Sequence, residues 1–164
     1  MIAFTMSGMY SVVDGLFVGK AAGDTGLAAI NIAWPIPAVI TALGIGIGTG
    51  GSVLYSNMMG KGDGDGCRRM FNTTVSFLVL AGILLSVLLF AVRDPLLRIF
   101  GAEGDVMEQA QQYTGIIIAG GVLQVCGTGI TPLLRNMNLS FAAMISMVTG
   151  FAVNIAVNYY LMFP

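Results

Sequence analysis

Asp14 is the one carboxylate set inside an apolar stretch of this chain; every other charge sits in a loop or at the end of an apolar run. Read as a helix, the chain places it six residues before Lys20, roughly 9 Å inward at 1.5 Å per residue. An ionisable group at such a depth is costly, and by default it faces an internal cavity or a partner. Burial favours the neutral acid and a bound cation favours the carboxylate. Those opposing pulls are the chemistry of a site that takes up a proton or a sodium ion. Asn154 and Asn158 are four apart in GFAVNIAVNYY, hence on one helical face. Their amide oxygens could help hold a hard cation, or the two amides could join neighbouring helices. Gln124 is a further candidate for the same cavity, with Tyr10 and Ser11 beside Asp14.

Other chemistries are closed by composition. The chain has no His and two cysteines, Cys67 and Cys126. A Ser-His-Asp or Cys-His catalytic arrangement is therefore excluded, and the usual zinc sets lack ligands. Cys67 lies in a polar loop and Cys126 in an apolar run, so two unpaired thiols are expected. No metal site is expected apart from a sodium ion at Asp14, and no enzyme activity or cofactor. GIGTGG (46–51) fits the G-x-G-x-x-G pattern, which signals a dinucleotide site only between a strand and a helix; here it lies inside an apolar run. Asp63-x-Asp65-Gly66 starts like a calcium loop, but Thr74 stands where the closing Glu would be.

The elements that hold Asp14 must be membrane helices. Of 164 residues 56% are hydrophobic and 9% charged, against roughly 25% charged in soluble domains. The mean hydropathy is +0.87. Lys and Arg number 7 against 8 Asp and Glu, so there is no basic surplus for nucleic-acid phosphates. Charge-free runs cover 25–60, 70–92, 109–134 and 136–164, each longer than the ~20 residues that span a hydrocarbon core. Lipid satisfies no backbone group, so each is expected to be helical. The reading is an all-α, polytopic bundle forming a single partial domain over 1–164, with helices near 1–19, 26–57, 70–92, 108–133 and 139–163. Neither end has a polar flank, which is the pattern of a piece cut from a longer chain. Lys61, Arg68, Arg69 and Arg135 lie on one side, and Lys20, Arg93 and Arg98 on the other. That leans the first set toward the cytoplasm. GKGDGDGCRR (60–69) reads as a flexible connector there. RDPLLRIFGAEGDV (93–106) reads as an interfacial turn or short helix that lays Leu96, Leu97, Ile99 and Phe100 on the membrane.

Three features shape these helices. Pro35 and Pro37 mark either a kink beside a cavity or a helix start displaced to Pro35. Gly44 and Gly48, and Gly46 and Gly50, form overlapping G-x-x-x-G pairs suited to close helix packing. Pro132 reads as a helix terminator.

Three stretches together resemble the multidrug and toxic compound extrusion (MATE) family of transporters. They are MYSVVDGLFVGKAAGDTGLAAINIAWPI (9–36), the glycine-rich run with its G-K-G-D loop (44–63), and LLRNMNLSFAAMISMVTGFAVNIAVNYYL (133–161). The resemblance covers nearly the whole chain. It implies helices 1 to 5 of a six-helix lobe, in a protein of twelve helices. Helix 6 and the second lobe would then be the missing partners, and the location a bacterial or archaeal cytoplasmic membrane. It further implies an antiporter that expels organic, often cationic compounds against H⁺ or Na⁺, with Asp14 and Asn154 in the cation site. Two positions depart from the family pattern: Asn158 stands where an Asp is common and Ser11 where an Asn is common, which leaves one carboxylate rather than two. A lipid-linked oligosaccharide flippase of the same superfamily and a non-transporting membrane subunit are the alternatives. The first would want basic residues inside the spans, and there are none. Five helices supply half a cavity at most, so the piece alone is not expected to transport.

Overall fold

The computed structural model describes residues 23–137, 139, 141, 143–145 and 148–149. Among them every regular element is a helix: helical residues 23–33 (α1), α2 (Pro35–Gly60), α3 (Gly64–Ile99), α4 (Gly104–Ala119) and α5 (Gly121–Asn136). The long apolar runs of the sequence make α2 and α3, each long and apolar enough to cross a membrane. Asp14, Ser11, Tyr10, Asn154 and Asn158 fall outside the described residues, as do the expected helices over 1–19 and most of 139–163.

The expected span 26–57 is divided at Trp34. Pro35 and Pro37 carry no N–H, so the carbonyls of Asn31 and Ala33 lose their α-helical donors. Asn31 O takes the Trp34 N–H instead, at 3.4 Å. Trp34 keeps right-handed helical angles (φ −48°, ψ −37°), so the chain passes on into α2 with its hydrogen-bond ladder interrupted. A helix begins at Pro35, and Pro37 lines a groove.

The connector expected over 60–69 is a tight turn of three residues. Gly62 sits at φ +72°, which a side chain would resist, and Asp63 accepts a hydrogen bond from Gly66 N–H at 2.8 Å. This cap starts α3 at Gly64 rather than at 70. At its other end α3 runs through Pro95 to Ile99, beyond the expected 92. Leu97, expected on the membrane surface, is instead fully buried, whereas Ile99 is exposed. The α3–α4 turn is closed by Gly101 at φ +91° and by Ala102 N–H donating to Leu97 O at 2.9 Å. The 36 residues of α3 reach ~54 Å, well past a ~30 Å hydrocarbon core.

The expected single span 108–133 is two helices, α4 and α5, bent by 55° at Gly120. The bend falls at the pair Gly120–Gly121, the kind of site where sharp bends occur without proline. An added Cβ at Gly121 would lie 2.7 Å from Ser86 Oγ, so the start of α5 is pressed against α3. Pro132, expected to end the helix, lies inside α5, which continues to Asn136. Helix ends are ordinarily placed by capping residues and tertiary contacts, and Asn136 is held by a hydrogen bond to the Ser52 carbonyl at 3.2 Å.

The core is where α2, α3 and α5 meet. Ile40, Leu78 and Val125 are each buried to within 1%. Lipid tails are as apolar as Leu, so close packing of small residues must do what water exclusion does in soluble proteins. An added Cβ at Gly48 would collide with the Gly129 backbone, and one at Gly44 with Thr128 and the Val125 carbonyl. Gly51 meets Thr74 of α3 in the same way, and Gly129 meets Leu78. Gly46 and Gly50 point into open space, with nothing within 4 Å of an added Cβ. The two overlapping glycine pairs thus have different places: Gly44 and Gly48 on the seam, Gly46 and Gly50 off it.

Candidate functional site

The side of the bundle that carries polar side chains and space is the seam of α2 and α5. On α2, Thr41, Ile45, Thr49 and Ser52 follow at helical spacing and so share a face. On α5, Gln124, Thr128, Thr131 and Arg135 do the same. Between them lie two grooves that share Ile45. The outer groove, about 460 Å³, is lined by Trp34, Pro37, Ala38, Thr41, Ala42 and Gln124 along with Ile45. The inner groove, about 610 Å³, is bordered by Thr49, Ser52, Val53, Thr131, Pro132, Arg135 and others.

Gln124 sits in the outer groove and donates from Nε2 to Thr41 Oγ1 at 3.0 Å. That bond ties the amide across the seam from α5 to α2. Trp34, 64% exposed, forms the outer lip. An apolar groove with an aromatic lip and one oriented amide suits an amphipathic organic molecule. The hydroxyls are tied to their own helices: Ser52 donates to Thr49 O at 2.8 Å, Thr128 to Gln124 O at 2.9 Å and Thr131 to Gly127 O at 2.9 Å. Among the described residues no buried side-chain nitrogen or oxygen lacks a hydrogen-bond partner.

The seam residues Thr41, Trp34, Thr49 and Thr128 are not among those expected from the sequence. The spacing of Thr41, Ile45, Thr49 and Ser52 was the signal that could have found them. Among the described residues no three His, Cys, Asp or Glu are placed to hold a metal. Cys67 and Cys126 are both free thiols. Arg93 pairs with Asp94 at 3.0 Å and stacks 4.8 Å from the Phe90 ring centre, away from the seam.

A bundle of long apolar helices, broken at Trp34 and at Gly120, is that of a polytopic membrane protein. The MatE family model matches residues 1–160. The chain belongs to the MatE family, whose members are multipass proteins of the cytoplasmic membrane. It is 22% identical over 156 residues to the probable multidrug resistance protein YoeA of Bacillus subtilis (strain 168), covering 95% of this chain and 34% of YoeA. It is 22% identical over 163 residues to the multidrug export protein MepA of Staphylococcus haemolyticus (strain JCSC1435), covering 99% of this chain and 36% of MepA. Among solved structures, MATE in complex with MaD3S superposes with a TM-score of 0.93 at 26% identity, over 99% of this chain and 36% of that one. The chain spans about a third of the length of these relatives.

Proposed function

We infer that this chain forms part of a multidrug exporter that moves organic, amphipathic and often cationic compounds outward in exchange for H⁺ or Na⁺. The observation that carries the reading is Asp14, the one carboxylate set inside an apolar stretch of sequence, in a chain that belongs to the MatE family. Support comes from the relatives named for multidrug resistance and export, and from the seam, whose outer groove is apolar with one oriented amide.

In this reading Asp14 alternates between a neutral or cation-bound form and the free carboxylate. Asn154 and Asn158 supply neutral oxygens to the occupied form. With Asn158 in place of a second acid, a single carboxylate carries the charge change. Drug and ion then use the pathway in turn as two lobes rock about a midplane site. The remaining two thirds of a family-length protein supply the other wall.

The test is efflux of a fluorescent organic cation from vesicles containing the full-length transporter, with ΔpH and ΔNa⁺ imposed separately. One gradient should drive export, and Asp14→Asn should abolish gradient-driven export while leaving insertion and folding intact. Undiminished export in Asp14→Asn rejects Asp14 as the coupling group. Export driven by neither gradient rejects antiport.

A further inference from the structure

Arg69, Asn72, Thr73 and Ser76 follow at helical spacing along α3 and so share one face. All four are exposed. Among the described residues their side chains make no hydrogen bond and no ion pair. Thr74, set between them, is the contrast: it is buried and donates from Oγ1 to the Met70 carbonyl at 2.8 Å. Asp65, one turn before Arg69, is exposed and does not pair with it; the ion pair of α3 is Arg93–Asp94, at the other end of the helix. The charge-free run 70–92 is centred on Ala81. With the midplane there, Arg69 lies roughly 18 Å out, Asn72 and Thr73 roughly 12–14 Å, and Ser76 roughly 8 Å. The hydrocarbon edge is at about 15 Å and the headgroup zone reaches about 20–22 Å. Arg69 thus stands at headgroup level, and three neutral polar groups lie just inside the hydrocarbon, where an unpaired donor is costly. Further in, the exposed surface continues with Phe77, Leu80 and Leu84.

We propose that this stripe seats an anionic glycerophospholipid of the adjoining leaflet, with the phosphate on the Arg69 guanidinium and the ester carbonyls on the Asn72 amide and the Thr73 and Ser76 hydroxyls. Such a lipid presents its polar groups in a fixed order of depth, an anion outermost and neutral acceptors further in. The stripe presents the complement, a cation outermost and neutral donors further in. A guanidinium offers a fork of donors that matches phosphate geometry, and amide and hydroxyl groups donate to carbonyl oxygens. A zwitterionic lipid brings its own ammonium to the level of Arg69, where it competes for the phosphate and meets like charge. An organic cation has no anion to offer Arg69. The proposal rests on α3 crossing the membrane and needs neither the export reading nor Asp14.

The test uses the full-length transporter in nanodiscs of equal parts phosphatidylglycerol and phosphatidylcholine. A photo-crosslinking benzoylphenylalanine replaces Phe77, next to Ser76, or, as a control, Leu88. Both are 57% exposed, and Leu88 lies three turns further along the same face, in the opposite leaflet. Mass spectrometry counts the adducts. At position 77 phosphatidylglycerol adducts should exceed phosphatidylcholine adducts about fivefold, the preference one basic residue confers near a membrane surface. At position 88 the ratio should be about one. Arg69→Gln should bring the ratio at position 77 to that of position 88, and Arg69→Lys should retain most of the preference. Thr73→Val combined with Ser76→Ala should lower total lipid capture at position 77, relative to position 88, by about twofold or more. Equal capture of the two lipids at position 77 overturns the proposal, as does a ratio unchanged by Arg69→Gln or a total capture unchanged by the double substitution. Protein adducts at position 77 in place of lipid adducts also overturn it and show that another protein surface covers the stripe.

Discussion

At Gly48 a single methyl group would have to occupy the space of the Gly129 backbone, while two residues earlier at Gly46 it would meet nothing within 4 Å. The two positions look alike in the sequence, and only the helix partner tells them apart. Gly48→Ala should lower the thermal unfolding temperature of the detergent-solubilised protein, by the ~1–3 kcal/mol of an overpacked contact. Gly46→Ala should leave it unchanged or slightly raised, since alanine is the better helix former. Leu78 and Leu84 make a second contrast. Leu78 is fully buried beneath Gly129, and Leu84 is 70% exposed. Leu78→Ala should cost ~2–5 kcal/mol in a denaturation titration, and Leu84→Ala well under half of that. For residue roles the sequence is informative where chemistry is rare. Asp14 stands out because it is one carboxylate in an apolar run, and the Asn154–Asn158 pair because of its spacing. Trp34, Thr41 and Thr49 do not stand out, because threonines and a tryptophan are common in membrane helices and only the α2–α5 geometry brings them together.

Among the elements, the existence of the long helices was legible and their ends were not. Runs without charge identify α2 and α3, because lipid leaves the backbone no other way to satisfy itself. The cap at Asp63 and the buried Leu97 lengthen α3 at both ends, and neither leaves a hydropathy signal. The bend between α4 and α5 was missed because Gly120 and Gly121 resemble the other glycines of this glycine-rich chain. Pro132 was the more conspicuous breaker, yet it lies inside α5. At the bend Gly121 lies close against Ser86, 35 residues away in sequence. Gly121→Ala should therefore destabilise the protein, and Ser86→Ala should recover much of that loss by removing the hydroxyl 2.7 Å from the new methyl. A double-mutant cycle on thermal stability measures this, and a coupling below about 0.5 kcal/mol would separate the bend from that contact.

For the whole molecule the testable quantity is orientation. The end of α2 and the start of α3 carry Lys61, Arg68 and Arg69, which the positive-inside tendency places in the cytoplasm. Cys67 lies in that segment, half-buried with its Sγ 3.8 Å from the Tyr55 carbonyl. With Cys126 and any further cysteine of the full-length protein replaced by Ser, a membrane-impermeant maleimide should label Cys67 in inverted vesicles and spare it in right-side-out ones. The opposite pattern would invert the topology.

The contact of Gly44 and Gly48 with Val125 and Gly129 is made largely by main chain against main chain. Such a junction has few rotamers to freeze when it forms and few to release when it is stressed. It also lacks the interchangeable side-chain interlocks that let helices slip past one another by small steps. The seam therefore behaves as a weld. When one of these two helices tilts the other follows, and the grooves on either side of Ile45 change shape together.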